Sequence, residues 1–258
     1  MDKLVRLLVV PFQSIKTRPI LKLLGASVAV VAIAVLLISV KAPRVSAGPE
    51  SDRDQEEREV RIGFDIAPVP LHMEGRHRHL DRRLVGLGSY IVNAQADCNG
   101  CHSRGPSTEF VVPGNPYLLP PLNGEQVNPA TYLGGGRDFG PFGSNGELKH
   151  LYSRNLTPDK TGRPEGGNTF EQFLTIMRTG KDYDNVHPNC PAGTPPTGNA
   201  DGTCLLPPFN GEVLQVMPWP VDHNMTEHDL RAIYEYLSAI QCIDTVIPGA
   251  PYLHNDCE

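Results

Sequence analysis

The amino-acid sequence predicts a mainly α-helical domain of few helices, with long Gly/Pro-rich loops and one apolar helix at the N-terminus. Two observations support this class. Gly and Pro contribute 25 residues each to a chain of 258, whereas aromatic residues make up only 7%, and this composition suits loops better than a large regular sheet. Three segments after residue 80 show helical spacing of apolar residues, and no segment alternates like a strand over a useful length.

The N-terminal segment is predicted to cross a membrane. Residues 1–22 are basic, and residues 23–40 are 18 consecutive uncharged, largely apolar residues. The positive-inside rule therefore leaves the N-terminus in the cytoplasm and sends the remainder across. A run of 18 is long enough to span a bilayer and long for the core of a secretory signal. We expect an N-terminal anchor on the periplasmic side of the cytoplasmic membrane, with cleavage after Ala47 as the alternative.

Residues 41–80 are predicted to form a charged, flexible linker. Residues 51–60 carry a run of charge with almost nothing to bury, and Pro68 and Pro70 interrupt any continuous helix. The folded domain is therefore expected to occupy residues 81–258.

Net charge excludes one class of partner. Residues 1–47 carry seven Lys/Arg and one acidic residue, which leaves 16 basic and 28 acidic residues in 48–258, a formal net charge of −12. Such a domain should repel DNA and RNA, so we expect no nucleic-acid binding. A protein partner with a basic docking surface fits this field, because opposite charges accelerate encounter. A purely solubilising role for the acidic residues fits it equally well.

Three helices are predicted within the domain. The first begins near residue 84 and runs into a cysteine pair, because apolar residues recur there every three or four positions. The second covers residues 169–179, where Thr169 and Gln172 have the spacing of a capping box and Gly180 can end the helix. The third covers residues 226–241 and has an apolar stripe along one face.

The segment Cys98-Asn99-Gly100-Cys101-His102 has the Cys-x-x-Cys-His spacing of covalent haem attachment. Two thiols at this spacing can add to the two vinyl groups at one edge of a porphyrin, and the adjacent His can supply an axial nitrogen to the iron. The motif predicts one covalent haem c and, with it, single-electron transfer. A dithiol redox pair and a zinc site are the alternatives. The first normally follows a strand, and the second needs four ligands.

A methionine is the expected second axial ligand of an electron carrier. Met217 stands in Met217-Pro218-Trp219-Pro220, a loop that two prolines stiffen, and a rigid loop can hold a thioether at a fixed distance from iron. Met177 lies on the apolar face of the second predicted helix, where Met usually fills the core. His187 and His223 are rival ligands. An open sixth position, with peroxide or gas chemistry, is the alternative function.

Several segments resemble class I cytochromes c. Gly88-Ser89-Tyr90 and residues 97–102 resemble the first helix and haem site of that family, and residues 226–237 resemble its C-terminal helix. Residues 134–143 and 151–159 resemble the cytochrome domains that serve periplasmic alcohol and sugar-acid dehydrogenases, although such subunits usually carry several haem motifs and this chain has one.

The resemblance covers about residues 84–242. It implies a class I cytochrome c fold around one covalent haem, with Met217 at the axial position. It also implies a dehydrogenase or respiratory protein as redox partner, and it makes the chain a carrier or cytochrome subunit, without catalysis of its own.

Four further side chains are candidates to contact the haem propionates. Arg137 and Arg154 could neutralise them, because guanidinium groups bind carboxylates bidentately. Asn155 and Trp219 could donate hydrogen bonds to them.

The remaining four cysteines are Cys190, Cys204, Cys242 and Cys257. Export would place them where disulfides persist, and four cysteines allow three pairings. We predict the local pairing, Cys190 with Cys204 and Cys242 with Cys257. Each bond would close a loop of roughly 15 residues, worth on the order of 3 kcal/mol in the chain-entropy description.

Overall fold

The computed structural model describes residues 49–75, 78–118, 124–141, 150–195 and 203–258. The predicted basic N-terminus (1–22), the apolar segment (23–40) and the cleavage site after Ala47 lie outside the described residues. Within the described ranges, no helix is both long and apolar enough to cross a bilayer.

The described chain is mainly helical with a few short strands, as the sequence predicts. In chain order the elements are helix α1 (Pro49–Ile66), strands β1 (Glu74–Gly75) and β2 (Arg78–His79), helix α2 (Arg82–Tyr90) continued by a π-helical turn (Ile91–Gln95), helix α3 (Cys98–His102), strands β3 (Asp138–Pro141) and β4 (His150–Tyr152), helices α4 (Pro164–Gly167), α5 (Phe170–Thr179), α6 (Trp219–Asp222) and α7 (Glu227–Ala239), and a 3-10 turn (Pro251–Leu253). Strands β1 and β2 pair antiparallel, and so do β3 and β4.

The second and third predicted helices are confirmed. Thr169 and Gln172 form the predicted capping box of α5, and Gly180 ends that helix at a φ of 69°. Thr226 caps α7. The first predicted helix is interrupted, because its last turn is π-helical and Asp97 adopts a left-handed φ of 48°. The cysteine motif therefore forms a short helix of its own, α3.

The prediction of a flexible linker is wrong wherever the structure describes that segment, because the residues from Pro49 onward belong to the same unit as the rest of the domain. Helix α1 packs along α2 where two glycines meet: a Cβ on Gly63 would lie 1.9 Å from the Gly86 carbonyl oxygen. Ser89 Oγ donates to the Gly63 carbonyl at 2.6 Å across this contact. The apolar face of α1 is narrow and most other residues of this helix are charged. The composition of the segment therefore did not indicate a packed helix.

The core lies around α2, which is placed between α1 and α7. Gly88 of α2 allows close contact with α7, since a Cβ there would lie 1.9 Å from the Ala232 carbonyl oxygen. Helix α5 joins through aromatic contacts, with the Phe170 ring edge-on to Tyr234 at 5.4 Å between centroids. Cys98 packs against this core at its edge, which places the cysteine motif beside the apolar interior.

Both disulfides pair as predicted. Cys190 bonds to Cys204, and Cys242 bonds to Cys257. Cys98 is the partly buried member of the motif and is free, as the motif requires.

Candidate functional site

The cysteine motif and the predicted axial methionine share one cleft. Cys98, Cys101, His102 and Met217 all line it. The other walls are mostly apolar and come from the π-helical turn, α5 and α7, with Val92, Phe173, Ile176, Ile233 and Leu237. A concave, mostly apolar cleft with a few polar groups is typical of a ligand or cofactor site.

The His102 ring is held in one tautomer by the backbone of Arg154. His102 Nδ1 lies 2.8 Å from the Arg154 carbonyl oxygen, and because a carbonyl only accepts, Nδ1 must carry the proton. The lone pair of Nε2 is then available to a metal, and metal-binding histidines are usually oriented in this way.

The same environment favours the neutral form of His102. Burial lowers the pKa of His102, and the nearby Arg154 charge lowers it further, against the opposing effect of the hydrogen bond to the Arg154 carbonyl. A neutral imidazole is the form that binds a metal.

A glycine makes room for this hydrogen bond. Gly135 has a φ of 69°, and a Cβ there would lie 2.4 Å from the Arg154 carbonyl oxygen, the atom that binds His102. The Gly135 N–H donates to the His102 carbonyl at 2.7 Å. The glycine loop at 134–136 thus brings the haem motif and the Arg154 backbone into contact, and a side chain at Gly135 would push them apart.

The Arg154 guanidinium is held by two aspartates. Its Nη2 lies 2.8 Å from Asp182 Oδ1 and its Nε 2.7 Å from Asp184 Oδ2, while the Tyr252 ring lies 4.4 Å from its Cζ. Burial alone would lower the pKa of Arg154, but the two aspartates raise it. The predicted propionate partner is therefore already paired within the protein, and it anchors the segment whose carbonyl fixes His102.

Asn155 and Arg137 brace the site from outside the cleft. Asn155 Nδ2 donates to the carbonyls of Ile243 at 2.7 Å and Leu253 at 3.2 Å. Both amide N–H groups of Asn155, the predicted propionate donor, are thus given to the backbone here, and they tie the C-terminal tail to the segment that follows Arg154. Arg137 Nη1 donates to the Gly100 carbonyl within the haem motif.

Met217 lies in a loop, residues 214–219, that is fixed to the end of α5. We call this loop the strap. The Leu214 N–H donates to the Gly180 carbonyl at 2.7 Å, and the Trp219 indole N–H donates to the Leu214 carbonyl at 3.0 Å. The Trp219 ring fills the space over Gly180, where a Cβ would lie 2.4 Å from it. The single indole N–H of Trp219, the predicted propionate donor, is therefore given to the backbone here.

Met217 is distinguished from the other methionines by position. Met177 and Met225 also line the large cleft, and Met177 is buried in the core as expected. An adjoining pocket beside β3 and β4 is lined by Cys101, His102 and Met217, but not by Met177 or Met225. The rival ligand His223 is exposed, and its Nδ1 lies 2.6 Å from the Pro220 carbonyl oxygen.

The two alternative interpretations of the motif gain no support. Burial, with contributions from Asp222 and Asp97, raises the pKa of Cys98 to about 12, whereas reactive thiols of dithiol enzymes have a lowered pKa. Among the residues that the structure describes, no three His, Cys, Asp or Glu side chains are grouped to hold a metal ion. A zinc site would need four such ligands.

Glu165 is a cleft residue that sequence reasoning missed. It lines the cleft near His102 and Met217, and Asn168 Nδ2 lies 3.4 Å from its carboxylate. Burial raises the pKa of Glu165 to about 7, with Arg154 acting in the opposite direction. No motif marks this residue, because only the tertiary fold brings α4 to the cleft.

Comparison with curated proteins shows a distant homologue. The chain is 24% identical over 168 residues to the fructose dehydrogenase cytochrome subunit of Gluconobacter japonicus, and the match covers 65% of this chain and 24% of that protein. The chain therefore spans about a quarter of the length of its relative. A cytochrome homologue implies haem, and a dehydrogenase subunit is consistent with electron transfer. No protein-family model and no solved structure matches the chain.

Proposed function

We propose that this chain is a monohaem c-type cytochrome of class I fold that carries single electrons. The observation that supports it most directly is the His102 ring, whose Nδ1–H is given to the Arg154 carbonyl at 2.8 Å. This leaves Nε2 available in a cleft that Cys98, Cys101 and Met217 also line. The distant likeness to a dehydrogenase cytochrome subunit agrees with this function.

The described residues fit a covalent haem. Cys98 and Cys101 would hold it through thioether bonds, and His102 and Met217 would bind its iron. A bound haem would supply a reversible one-electron iron couple. The chain's own contribution is to orient His102 through a backbone carbonyl, which raises the basicity of the ligand, and to surround the site with apolar side chains.

We propose that residues 23–40 anchor the domain on the periplasmic side of the cytoplasmic membrane, with release after Ala47 as the alternative. The basic residues before this segment and its length of 18 residues support the anchor. The relative is the cytochrome subunit of a fructose dehydrogenase. For this chain we propose a dehydrogenase or another respiratory protein as electron donor, and no substrate chemistry of its own.

The decisive experiment is expression of the full chain in a host that attaches haem c, followed by denaturation in alkaline pyridine. We expect one covalent haem per chain, which survives a denaturing gel. Cys98→Ser and Cys101→Ser should each weaken or abolish this covalent retention, while the double substitution Cys190→Ser with Cys204→Ser should leave it intact. A colourless wild-type chain would refute the proposal.

A further inference from the structure

A second groove, of about 620 Å³, adjoins the cleft, and we call it the acidic groove. Three carboxylates line it, from Asp97, Glu109 and Glu125, and none of its described lining residues is Lys, Arg or His. Apolar side chains complete its walls, among them Ile66, Val92, Phe110 and Val127. The groove is therefore negatively charged, with surfaces that could cover an aliphatic chain.

Glu109 is the unusual member of this set. Its residue is only 9% exposed, and its backbone is fixed by bonds to Gly105 (3.1 Å) and Asn128 (2.9 Å). Within the described part of the chain, its carboxylate has no hydrogen-bond or ion-pair partner. Burial and the charge of Asp97 raise the pKa of Glu109, against an opposing effect of Arg137. The carboxylate lines the groove and is available to pair with an incoming cation.

An exposed apolar rim borders the groove. Val112 and Tyr117 are each 77% exposed and Leu118 is 48% exposed. The Tyr117 ring packs edge-on against Phe110, a groove residue, with 6.0 Å between centroids. Exposed aromatic and aliphatic side chains grouped beside charged residues are typical of protein interfaces. A small cation would leave this rim uncovered, so the rim favours a protein as occupant.

The groove also lies beside the proposed haem attachment. Asp97 and Asn99, the two chain neighbours of Cys98, both line the groove. Val92 and Asp97 line the groove and the cleft alike. A partner seated in the groove would thus be separated from the cleft by a single layer of residues.

We propose that the acidic groove receives a lysine or arginine side chain of the protein that exchanges electrons with this chain. The inference rests on the proposed function. The cationic head pairs with Glu109 and Asp97, while its aliphatic stem contacts Val92 and Phe110, as long basic side chains commonly do. The negative field of the groove also accelerates the encounter with a basic partner.

Stopped-flow oxidation of the reduced, haem-loaded protein by a lysine-rich soluble cytochrome c tests this at low ionic strength. We expect Glu109→Gln to slow the second-order rate about three- to tenfold, and Glu125→Gln, an exposed site, to slow it less. The matched control is Glu57→Gln, an exposed acidic residue on α1, which should change the rate less than about twofold. Ferricyanide, a small anion, should oxidise all variants within about twofold of wild type.

Equal rates for wild type and Glu109→Gln, with slowing by Glu57→Gln, would overturn the groove and assign docking to α1. A chain without haem would instead refute the proposed function, and slow ferricyanide oxidation would show a disturbed haem site. Both results differ from the result expected if the partner does not dock at the acidic groove.

Zero-length carbodiimide coupling to the same lysine-rich cytochrome gives a second, independent measurement. The reagent joins a carboxylate of this chain to a lysine amine of the partner, and mass spectrometry locates the amide. We expect amides at Glu109, Asp97 or Glu125. Amides confined to the carboxylates of α1 would refute the proposal.

Discussion

The His102 wall and the Met217 wall of the cleft are built in different ways. On one side His102 is fixed by its own side chain, because Nδ1 donates to the Arg154 carbonyl at 2.8 Å. On the other side Met217 has only a weakly accepting thioether, so the strap must position it through other bonds. These are the bond from the Leu214 N–H to the Gly180 carbonyl and the bond from the Trp219 indole N–H to the Leu214 carbonyl. An imidazole has a second nitrogen with which the protein can orient it, whereas a thioether has nothing comparable. The His102 wall is thus set by hydrogen bonds, and the Met217 wall by the path of its loop.

The largest effect is expected from removing the thioether. Met217→Ala should lower the reduction potential by on the order of hundreds of millivolts, within the roughly 0.8 V range that axial ligands control. It should also let the reduced protein bind carbon monoxide at neutral pH. Met225→Ala is the matched control, because Met225 also lines the cleft but should leave both properties unchanged. A redox titration and a carbon monoxide difference spectrum measure them, and an unaltered Met217→Ala would assign the sixth position to another residue.

On the His102 wall, substitution of Gly135 should cause the largest loss of stability. Gly135→Ala combines a positive φ with a Cβ 2.4 Å from the Arg154 carbonyl oxygen, so we expect a loss of about 2 to 4 kcal/mol in the free energy of unfolding. Gly193→Ala is the control, since Gly193 has a φ of 88° but nothing within 4 Å of the new Cβ. It should cost about 1 kcal/mol. Denaturant unfolding measures both, and equal losses would show that the close contact does not matter.

Removal of each disulfide should affect a different wall of the cleft. Replacing either pair by Ala should cost on the order of 3 kcal/mol, because the loops are of nearly equal length. The Cys190–Cys204 bond lies in the segment before the Met217 strap, so its loss should weaken the thioether–iron absorption band. The Cys242–Cys257 bond holds the tail that Asn155 binds, so its loss should spare that band. If both double variants lost the band equally, the position of Met217 would depend on both disulfides.

The last comparison concerns the pH dependence that Glu165 contributes. Its pKa is about 7 in the native protein against an ordinary value of 4.5, so between these pH values the native state binds more protons than the unfolded chain. Stability should therefore fall as pH rises from about 4.5 to 7, by at most about 1.4 kcal/mol per pH unit. Glu165→Gln should remove this component of the pH dependence.

Glu171→Gln provides a control of opposite sign. The pKa of Glu171 is lowered by its own backbone N–H and by Thr169, so this residue contributes stability that is lost on acidification. Unfolding curves from pH 4 to 8 compare the two variants, and an unchanged slope in Glu165→Gln would refute the role assigned to its burial.

Some of the fold and site could be predicted because the relevant information is local. Helices α5 and α7 follow from capping residues and apolar spacing within a dozen residues. The haem motif is five consecutive residues, and the disulfides join the cysteines that are nearest in the chain. Helix α1 could not be predicted in this way, because its stability depends on the contact of Gly63 with Gly86 in another helix.

The sequence by itself determined the helical class, the pentapeptide at residues 98–102 and Met217 in a proline-stiffened loop, since each depends on neighbours in the chain. Only the tertiary structure decided how the site is held. The Arg154 carbonyl reaches His102 across 52 positions, and Asp182 reaches the Arg154 guanidinium across 28. Asn155 and Trp219, predicted from residue type as propionate donors, give their N–H groups to the backbone instead. Residue type states which bonds a side chain can make, but the fold determines which partner lies within 3 Å of it.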